Sequence, residues 1–283
     1  MSKILKKQQL SENVFSMELE APLIASSRKA GQFIILMVDE DKGERIPLTI
    51  ADADAVAGTI TIIFQTVGVS TMRLARLNVG DEIPAVLGPL GRPTSIRGAN
   101  GEKPGRVVCV GGGIGVAPMH PIAQALKAAG NEVTIIMGAR NKSLFVMEKE
   151  MRAIAGDKLI LVTDDGSSGV KGLVTDPLKQ LCEEGNVDEV IAIGPPIMMK
   201  FCSLTTKPYG VKTTVSLNTI MIDGTGMCGG CRVSVGGKMK FVCVDGPEFD
   251  GHEVDWDIML NRMGAFKPYE TAAKDHLCNL YKM

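Results

Sequence analysis

The stretch Arg106-Val-Val-Cys-Val-Gly111-Gly-Gly-Ile-Gly115-Val-Ala-Pro118-Met sets the pattern for the middle of the chain. An apolar run passes directly into glycines, and a helix is predicted over residues 121–129. Strand, glycine turn and helix in this order let the backbone approach a pyrophosphate at the helix N-terminus. The spacing Gly-Gly-Gly-x-Gly differs from Gly-x-Gly-x-x-Gly, so the stretch predicts a nucleotide site outside the ordinary dinucleotide fingerprint.

Three further strands are predicted at residues 132–140, 158–163 and 189–194, with helices between them. Alternating strands and helices predict a parallel sheet whose ligand lies outside the carboxyl ends of the strands. Arg140 and Lys142 could neutralise a 2′-phosphate there, whereas Asp164 and Asp165 would repel one. The residues themselves therefore leave NAD and NADP both open.

The first third of the chain, residues 3–90, consists of short apolar runs broken by turn residues. Alternation and β-branched residues predict an antiparallel sheet that closes into a small barrel, with residues 70–77 as its single helical interruption. Arg45 and Thr49 lie on one face of a strand and could hold a phosphate and a ring edge, or could be ordinary strand residues. Ser70 and Thr71 open the helix either as an anion site or as a plain N-cap.

A cysteine loop follows the predicted sheet, with Asp223, Cys228, Cys231 and Cys243 separated by glycines. The spacing follows the order of plant-type ferredoxin ligands, with a carboxylate where the first thiolate would stand. A structural zinc site usually has a second close pair of Cys or His, whereas Cys243 stands alone, so zinc is disfavoured. A disulfide is typical of a secreted domain, so it is disfavoured as well. The loop therefore predicts a 2Fe-2S cluster, although Asp223 beside Gly224 is equally typical of a turn.

Composition narrows the class of protein. The 283 residues are 45% hydrophobic with a formal net charge of −1, which suits a compact protein with two domains and an appendage and gives no indication of nucleic-acid binding. No run approaches the ~20 apolar residues of a membrane span, and the start lacks a signal peptide, so a cytoplasmic location is expected. Trp256 is predicted to pack in a core, as are the remaining cysteines: Cys109, Cys182, Cys202 and Cys278.

Seven motifs occur in a fixed order and together cover nearly the whole chain. They are Arg-x-Pro-Leu-Thr, Gly-x-Ser-Thr, Gly-Pro-Leu-Gly, Gly-Gly-Gly-x-Gly-x-Ala-Pro, Thr-Asp-Asp-Gly-Ser, Gly-Pro-Pro and the cysteine loop. The chain resembles the ferredoxin–NADP reductase-like flavoproteins, in the branch of the dihydroorotate dehydrogenase electron-transfer subunits. Within that branch it is similar to the small (alpha) subunits of NADH-dependent reduced ferredoxin:NADP oxidoreductases, also called sulfide dehydrogenase subunit beta.

The resemblance implies three regions: an N-terminal antiparallel FAD-binding β-barrel (residues 1–100), a parallel-sheet α/β NAD(P)-binding domain (101–215) and a C-terminal 2Fe-2S cluster domain with a tail (216–283). It implies that FAD is held by Arg45, Pro47, Leu48, Thr49, Gly68, Ser70 and Thr71, with Thr49 near the reactive ring nitrogen. NAD(H) would be framed by Gly112, Gly113, Gly115, Asp164, Gly194 and Pro195. The cluster would be ligated by Asp223, Cys228, Cys231 and Cys243.

The resemblance further implies an oxidoreductase that exchanges hydride between NAD(H) and FAD and passes single electrons through the cluster. The implied partner is a larger flavoprotein with its own FAD and 4Fe-4S clusters, which together with this chain would form a heterodimer acting on ferredoxin and NADP(H) by electron bifurcation. Two alternatives stay open: an electron-transfer subunit of dihydroorotate dehydrogenase, and a zinc-stabilised nucleotide-binding subunit without catalysis.

Overall fold

The computed structural model describes residues 1–41, 43–99 and 102–281. Its first third is a seven-stranded antiparallel sheet with the order β6-β1-β2-β5-β4-β3-β7. The strands are β1 (Ser2–Ser11), β2 (Val14–Glu20), β3 (Phe33–Met37), β4 (Arg45–Asp54), β5 (Thr59–Gln65), β6 (Glu82–Ile83) and β7 (Ala85–Leu90). Because the edge strands β6 and β7 are neighbours in sequence, the sheet curls into a nearly closed barrel, as the alternating pattern predicted.

Two short helices accompany the barrel, α1 (Pro22–Ser27) and α2 (Val69–Leu74). The prediction of a single helical interruption was therefore wrong. Pro22 stands at the start of α1, where its missing N–H costs nothing, and Ile24 and Ala25 bury against the barrel. Six residues are too few to show the periodicity by which a helix is recognised in sequence.

A second seven-stranded sheet has the order β11-β10-β9-β8-β12-β13-β16, and all its strand pairs are parallel except β13 with β16. Its strands and helices are β8 (Arg106–Gly112), α3 (Val116–Ala128), β9 (Glu132–Ala139), α4 (Glu148–Ala155), β10 (Leu159–Thr163), β11 (Val170–Lys171), α5 (Thr175–Glu183), β12 (Glu189–Ile193), α6 (Pro196–Thr206) and β13 (Lys212–Ser216). The four predicted strands occupy neighbouring positions at its centre.

Alternate residues of β8 face opposite sides of this sheet. Val108 and Val110 belong to a core shared with α5 and α6, whereas Val107 and Cys109 belong to one shared with α3. The second core also contains barrel residues, and the buried His120 ring of α3 lies 3.3 Å from the Ala51 carbonyl oxygen of β4. The helix that follows the glycine turn therefore packs the sheet onto the barrel.

The remaining chain forms β14 (Arg232–Val235), β15 (Lys238–Phe241), α7 (Val242–Asp245), β16 (Glu248–Asp250), α8 (Trp256–Gly264) and α9 (Lys267–Tyr281). β14 and β15 are a separate hairpin, and β16 returns to the edge of the parallel sheet. Trp256 is 7% exposed and donates to the Gly251 carbonyl, which confirms its prediction as a core residue. Among the helices described, none has the length and hydropathy to span a bilayer.

Candidate functional site

A cleft of about 940 Å³ lies where the carboxyl ends of the parallel strands meet the barrel. We call it the barrel–sheet cleft. The strand ends contribute Gly112, Gly113, Arg140, Asp164 and Pro195, and the barrel contributes Asn13, Val14, Gln65 and Val67. Its volume is typical of ligand sites, which span roughly 300–1,000 Å³. The predicted convergence of four strand ends on one edge is therefore present in the structure.

The predicted glycines divide into two groups by what surrounds them. A Cβ on Gly115 would lie 2.3 Å from the Ile193 carbonyl oxygen, and one on Gly194 would lie 3.1 Å from the Gly112 Cα. Neither Gly115 nor Gly194 is among the described residues that line the cleft. Gly113 instead has φ +54° and no atom within 4 Å of its Cβ position. Gly115 and Gly194 thus serve close backbone packing, while Gly113 presents open backbone to the cleft.

Charges of both signs lie at this edge. Arg140 and Asp164 are exposed side chains at the ends of β9 and β10, and the Asp164 amide donates to the Ala139 carbonyl at 3.2 Å. The neighbouring Asp165 accepts a hydrogen bond from Ser167, which lowers the pKa of the Asp165 carboxyl. Carboxylates here can accept hydrogen bonds from ribose hydroxyls and disfavour a phosphate at the same position.

The predicted flavin residues of β4 lie on the strand that pairs with β3. Pro47 is opposite Ile35 and Thr49 is opposite Phe33. Pro47, Leu48 and Thr49 are half-buried, whereas Arg45 is exposed at the start of the strand. The described residues place no carboxylate within ion-pairing distance of Arg45, which leaves its guanidinium available to an anion.

The register of the barrel brings the second flavin segment close to the first. β4 runs antiparallel to β5 with Ile50 opposite Ile62, so the start of β4 lies beside the end of β5. Three residues beyond β5, Gly68 begins α2. Arg45 and the turn at Gly68 therefore lie at the same end of the barrel.

The side chain of Thr71 closes this turn. Its Oγ1 accepts hydrogen bonds from the amides of Val67 and Gly68, each at 3.1 Å, and donates to the Gly68 carbonyl at 2.9 Å. Ser70 is half-buried beside it. Thr71 thus acts as a local cap, which was one of the two interpretations of these hydroxyls.

The cysteine loop joins β13 to β14 and contains Asp223, Cys228 and Cys231, whereas the fourth predicted ligand, Cys243, lies in α7. The four predicted ligands form two pairs. Cys231 and Cys243 are both 1% exposed, and their Sγ atoms are 3.2 Å apart. Asp223 and the exposed Cys228 are joined by a 2.8 Å hydrogen bond from the Cys228 amide to Asp223 Oδ2. Within the described ranges, no three His, Cys, Asp or Glu side chains converge on one point, as the ligands of a single metal ion would.

Different surroundings act on the two pairs. Burial, together with the adjacent Cys231 thiol, raises the pKa of the Cys243 thiol to about 12. Hydrogen bonds from the amides of Thr225 and Cys228 lower the pKa of the Asp223 carboxyl. Asp223 is thus an ionised oxygen donor at neutral pH, and Cys243 is a protonated thiol that a bound metal cation would convert to a thiolate.

The loop rests on the barrel at Gly224. This glycine has φ +75°, and a Cβ there would lie 2.6 Å from Leu90 Cδ1 and 2.9 Å from Ile35 Cγ1. Ile35 is the β3 residue that faces Pro47 of β4. One barrel strand therefore separates the cysteine loop from the predicted flavin strand.

The other four cysteines lie apart from the loop. Cys109, Cys182 and Cys202 are buried, as predicted, and burial raises the pKa of the Cys109 and Cys202 thiols to about 12. Cys278 is only half-buried. Buried protonated thiols of this kind pack as small apolar side chains.

Sequence reasoning missed two polar residues that the structure singles out. Glu248 accepts a 2.6 Å hydrogen bond from Thr94 Oγ1 where the barrel meets β16, and burial raises the pKa of the Glu248 carboxyl to about 7. Asn13 lines the barrel–sheet cleft, and its Oδ1 is buried with no hydrogen-bond partner in the described chain. The sequence around Glu248 is typical of a turn and gave no sign of a shielded carboxyl, and Asn13 is likewise typical of a turn residue.

Comparisons with known proteins agree with this geometry. Residues 218–255 match the family model described as the iron-sulfur cluster binding domain of dihydroorotate dehydrogenase B. Residues 109–203 match the oxidoreductase NAD-binding domain. The first range contains the cysteine loop, and the second contains the sheet edge of the barrel–sheet cleft. An iron-sulfur model at the loop supports iron over the zinc alternative.

Two relatives span almost the whole chain. The dihydroorotate dehydrogenase B (NAD(+)) electron transfer subunit homolog of Thermotoga maritima is 47% identical over 95% of this chain and 93% of its own length. The dihydroorotate dehydrogenase B (NAD(+)) electron transfer subunit of Geobacillus thermodenitrificans is 33% identical over 89% and 96%.

A solved structure is also similar over its full length. It is a chain of the NADH-dependent reduced ferredoxin-NADP oxidoreductase described in connection with flavin-based electron bifurcation. The two chains are 44% identical with a TM-score of 0.90, and the match covers 98% of each. The predicted combination of antiparallel barrel, parallel nucleotide sheet and cluster domain, a ferredoxin reductase-like fold, is thereby confirmed.

Proposed function

This chain belongs to the family of the dihydroorotate dehydrogenase B electron transfer subunits and their homologues, and we propose that it relays electrons between NAD(H) and a larger flavoprotein partner. It is an NAD(P)H oxidoreductase subunit whose cofactors are FAD, a 2Fe-2S cluster and NAD(H). When bound, the flavin exchanges a hydride with nicotinamide, and the cluster carries electrons one at a time. The protein's own residues position these groups.

The barrel–sheet cleft fits a nicotinamide dinucleotide. The open backbone at Gly113 would let a pyrophosphate approach closely, and Asp164 would accept hydrogen bonds from the adenosine ribose. Gly112 and Pro195 would shape the floor beside them. Two carboxylates in sequence at the end of β10 disfavour a 2′-phosphate, which favours NAD(H) over NADP(H).

The end of the barrel near Gly68 fits a flavin dinucleotide. The Arg45 guanidinium would bind the FAD pyrophosphate, together with the backbone and the Ser70 hydroxyl of the turn that Thr71 holds. Thr49, half-buried on the same strand face as Arg45, would hydrogen-bond the ring edge and orient the flavin for hydride transfer. Pro47, on the same face, would line the plane of the ring, and Leu48, which packs against the barrel core from the opposite face, would support the strand beneath it.

The cysteine loop fits a two-iron cluster in its donor chemistry. Cys231 and Cys243 would ligate one iron from the buried side, since two donors of one metal ion must lie close together. Asp223 and Cys228 would ligate the other from the solvent side. An oxygen donor at the exposed position is harder than sulfur and would change the potential of the cluster.

The contact between the cysteine loop and the barrel supports the electron relay most directly. Gly224 packs against Ile35, which faces Pro47 on the next strand. Neighbouring strands are about 4.8 Å apart, so this contact keeps the loop and the flavin strand within a short distance. Hydride chemistry and single-electron transfer would thus be joined inside one chain.

The larger partner proposed here would carry its own FAD and 4Fe-4S clusters and would perform bifurcation with ferredoxin and NADP(H). The 44% identity to the chain from the bifurcating oxidoreductase favours this assignment. The solvent side of the loop exposes Cys228 and the 86% exposed Met227, a small apolar surface at which a partner would accept electrons.

The proposal is tested by anaerobic purification followed by analysis of FAD, iron and acid-labile sulfide, and by titration with NADH. We expect one FAD and two irons per chain, bleaching of the flavin absorbance by NADH, and a 2Fe-2S paramagnetic signal after reduction. A colourless protein without iron would refute both the relay and the cluster.

An alternative assignment, the electron-transfer subunit of dihydroorotate dehydrogenase, is favoured by the relatives that bear this name. The cofactors are the same, so spectra of the isolated chain do not separate the two. Purification from native cells separates the two assignments, because the copurifying subunit either oxidises dihydroorotate or reduces NADP with electrons from reduced ferredoxin.

A further inference from the structure

We propose that Asn13 is a positioning residue for the nicotinamide half of NAD(H), with its side-chain carbonyl accepting a hydrogen bond from that half. The inference rests on the proposed binding of NAD(H) in the barrel–sheet cleft. It adds a contact from the barrel, whereas the residues predicted for NAD(H) all lie on the parallel sheet.

The observation is an unsatisfied polar atom at a ligand site. Asn13 lines the cleft opposite the glycine turn after β8, and its Oδ1 has no hydrogen-bond partner within the described chain although it is shielded from solvent. Buried polar atoms almost always have partners, and an exception inside a cleft marks a place where a ligand supplies the donor. Nicotinamide nucleosides carry suitable donors in their carboxamide N–H and ribose O–H groups.

The fold itself does not explain this asparagine. Asn13 occupies the two-residue turn between β1 and β2, where asparagine is common because such turns often need positive φ. Among the described residues, however, Met147 is the one non-glycine with positive φ. The turn is instead held by the Asn13 backbone carbonyl, which accepts from the Thr66 amide at 2.9 Å. The Asn13 side chain therefore does not contribute a hydrogen bond that holds the turn.

The position of Asn13 selects the nicotinamide half. The hydride must reach a flavin that the barrel holds, so the reacting end of NAD(H) lies nearest the barrel wall. Asn13 shares this wall with Gln65 and with Val67, which directly precedes Gly68 of the proposed flavin turn. The adenosine half would extend away from it towards Asp164.

The test compares Asn13→Ala with Asn78→Ala, a control at an exposed barrel asparagine. Anaerobic flavin reduction over a range of NADH concentrations yields the Kd of NADH, and competition by ADP reports the adenosine half alone. We expect Asn13→Ala to raise the Kd of NADH about five- to tenfold, as for one lost hydrogen bond, with ADP inhibition, FAD content and Tm unchanged. Asn78→Ala should match the wild type throughout.

An NADH Kd within about twofold of the wild type would overturn the contact, because one neutral hydrogen bond contributes more than that. An equal loss of affinity for NADH and for ADP would also overturn the contact, since Asn13 would then act on the whole cleft. A lower Tm would overturn it too, since Asn13 would then act on the fold. Failure of the proposed function is distinct, since in that case NADH would not reduce the wild-type flavin at all.

Discussion

The barrel–sheet cleft and the cysteine loop are both binding regions, but they are built in different ways. The cleft is shaped by backbone packing at the centre of a sheet, where Gly115 lies against Ile193. The cysteine loop runs 15 residues between β13 and β14 without a strand or helix, and its ligands Asp223, Cys228 and Cys231 are joined by Cys243 of α7 to form two pairs. Cys231 and Cys243 belong to the same hydrophobic core as the parallel sheet, whereas Asp223 and Cys228 lie outside it. The cleft is therefore bounded by core backbone, whereas one of the two ligand pairs lies at the surface.

Different interactions maintain the cleft and the loop. Core packing is cooperative, so the shape of the cleft depends on the stability of the whole sheet. The surface part of the loop, residues 223–228, depends on fewer contacts, chiefly the seat of Gly224 on the barrel and the hydrogen bonds accepted by Asp223. Substitutions there should change the metal site more than the fold, and substitutions beneath the cleft should change the fold.

The largest expected effect is on the metal site. Cys231→Ser should reduce bound iron below about a tenth of the wild-type content, because the loss of a buried thiolate removes much of the binding free energy of the site. NADH should still bleach the flavin, since the cleft does not depend on the loop. Iron analysis and anaerobic NADH titration measure the two effects, with Cys278→Ser as the control.

Loss of flavin together with iron in Cys231→Ser would show that flavin binding depends on the metal site, contrary to the expectation that the two are independent. Retention of the 2Fe-2S paramagnetic signal would instead contradict the ligand assignment.

Beneath the cleft, Gly115→Ala should destabilise the protein by about 3 kcal/mol or more. Its Cβ would meet the Ile193 carbonyl oxygen at 2.3 Å, and backbone atoms inside a sheet have little room to move. Urea unfolding monitored by circular dichroism measures the change. Gly185→Ala is the comparison variant. Gly185 has φ +75°, which Gly115 does not, and its Cβ position has nothing within 4 Å. The stability loss in Gly185→Ala therefore measures the cost of positive φ without a steric clash. Equal losses in the two variants would show that packing at Gly115 is loose.

Glu248, on the edge strand β16 that pairs with β13, should make stability depend on pH. Its pKa is about 7 in the folded protein against an ordinary 4.5, because burial disfavours the charged form. The folded state therefore holds a proton that the unfolded state has released, so stability falls as pH rises from about 5.5 to 8, by about 2 kcal/mol. Urea unfolding at several pH values measures this slope.

Glu248→Gln should flatten the slope, since glutamine keeps an acceptor for Thr94 but does not ionise in this range. The carboxylate of Glu189 raises the pKa of Glu248, and the ammonium of Lys212 lowers it. Glu132→Gln is the control, because a hydrogen bond from Lys158 lowers the pKa of that exposed carboxyl, away from this range. An unchanged slope in Glu248→Gln would locate the pH dependence elsewhere.

The smallest expected effect is at the seat of the loop. Gly224→Ala should cost about 1–2 kcal/mol, because φ +75° is unfavourable for alanine and the new Cβ meets only the ends of the Leu90 and Ile35 side chains. The loop should then shift, and the paramagnetic spectrum of the reduced cluster should change while NADH affinity does not. A change in NADH affinity would extend the influence of the loop to the cleft.

Much of the architecture could be predicted from short-range patterns. The glycine turn after β8 and the alternating runs of the barrel are local signals, since period and turn chemistry depend on neighbouring residues. α1 was missed because six residues show no periodicity. The edge strand β16 was missed because its pairing with β13 bridges the whole cysteine loop and is invisible in sequence.

The residues of the candidate sites show the same limit. The motifs identified Gly113 and Gly115 together, but only the structure separates the glycine open to the cleft from the one packed on Ile193. The assigned roles of Arg45, Thr49, Asp164 and the four cluster donors stay predictions until the cofactors are measured. The polar, glycine-rich stretch 97–103 is predicted to be a linker, and its residues 100 and 101 lie outside the described residues.

The order of barrel, parallel sheet and cysteine loop, and with it the family and its cofactors, can be read from the chain alone, because motif spacing is a property of the chain. The folded structure was needed to see that the loop rests on the strand beside Pro47, that the half-buried Glu248 accepts from Thr94, and that Asn13 Oδ1 lies in the cleft without a partner. These facts depend on contacts between residues far apart in the chain, and burial and hydrogen-bond satisfaction exist only once such contacts form.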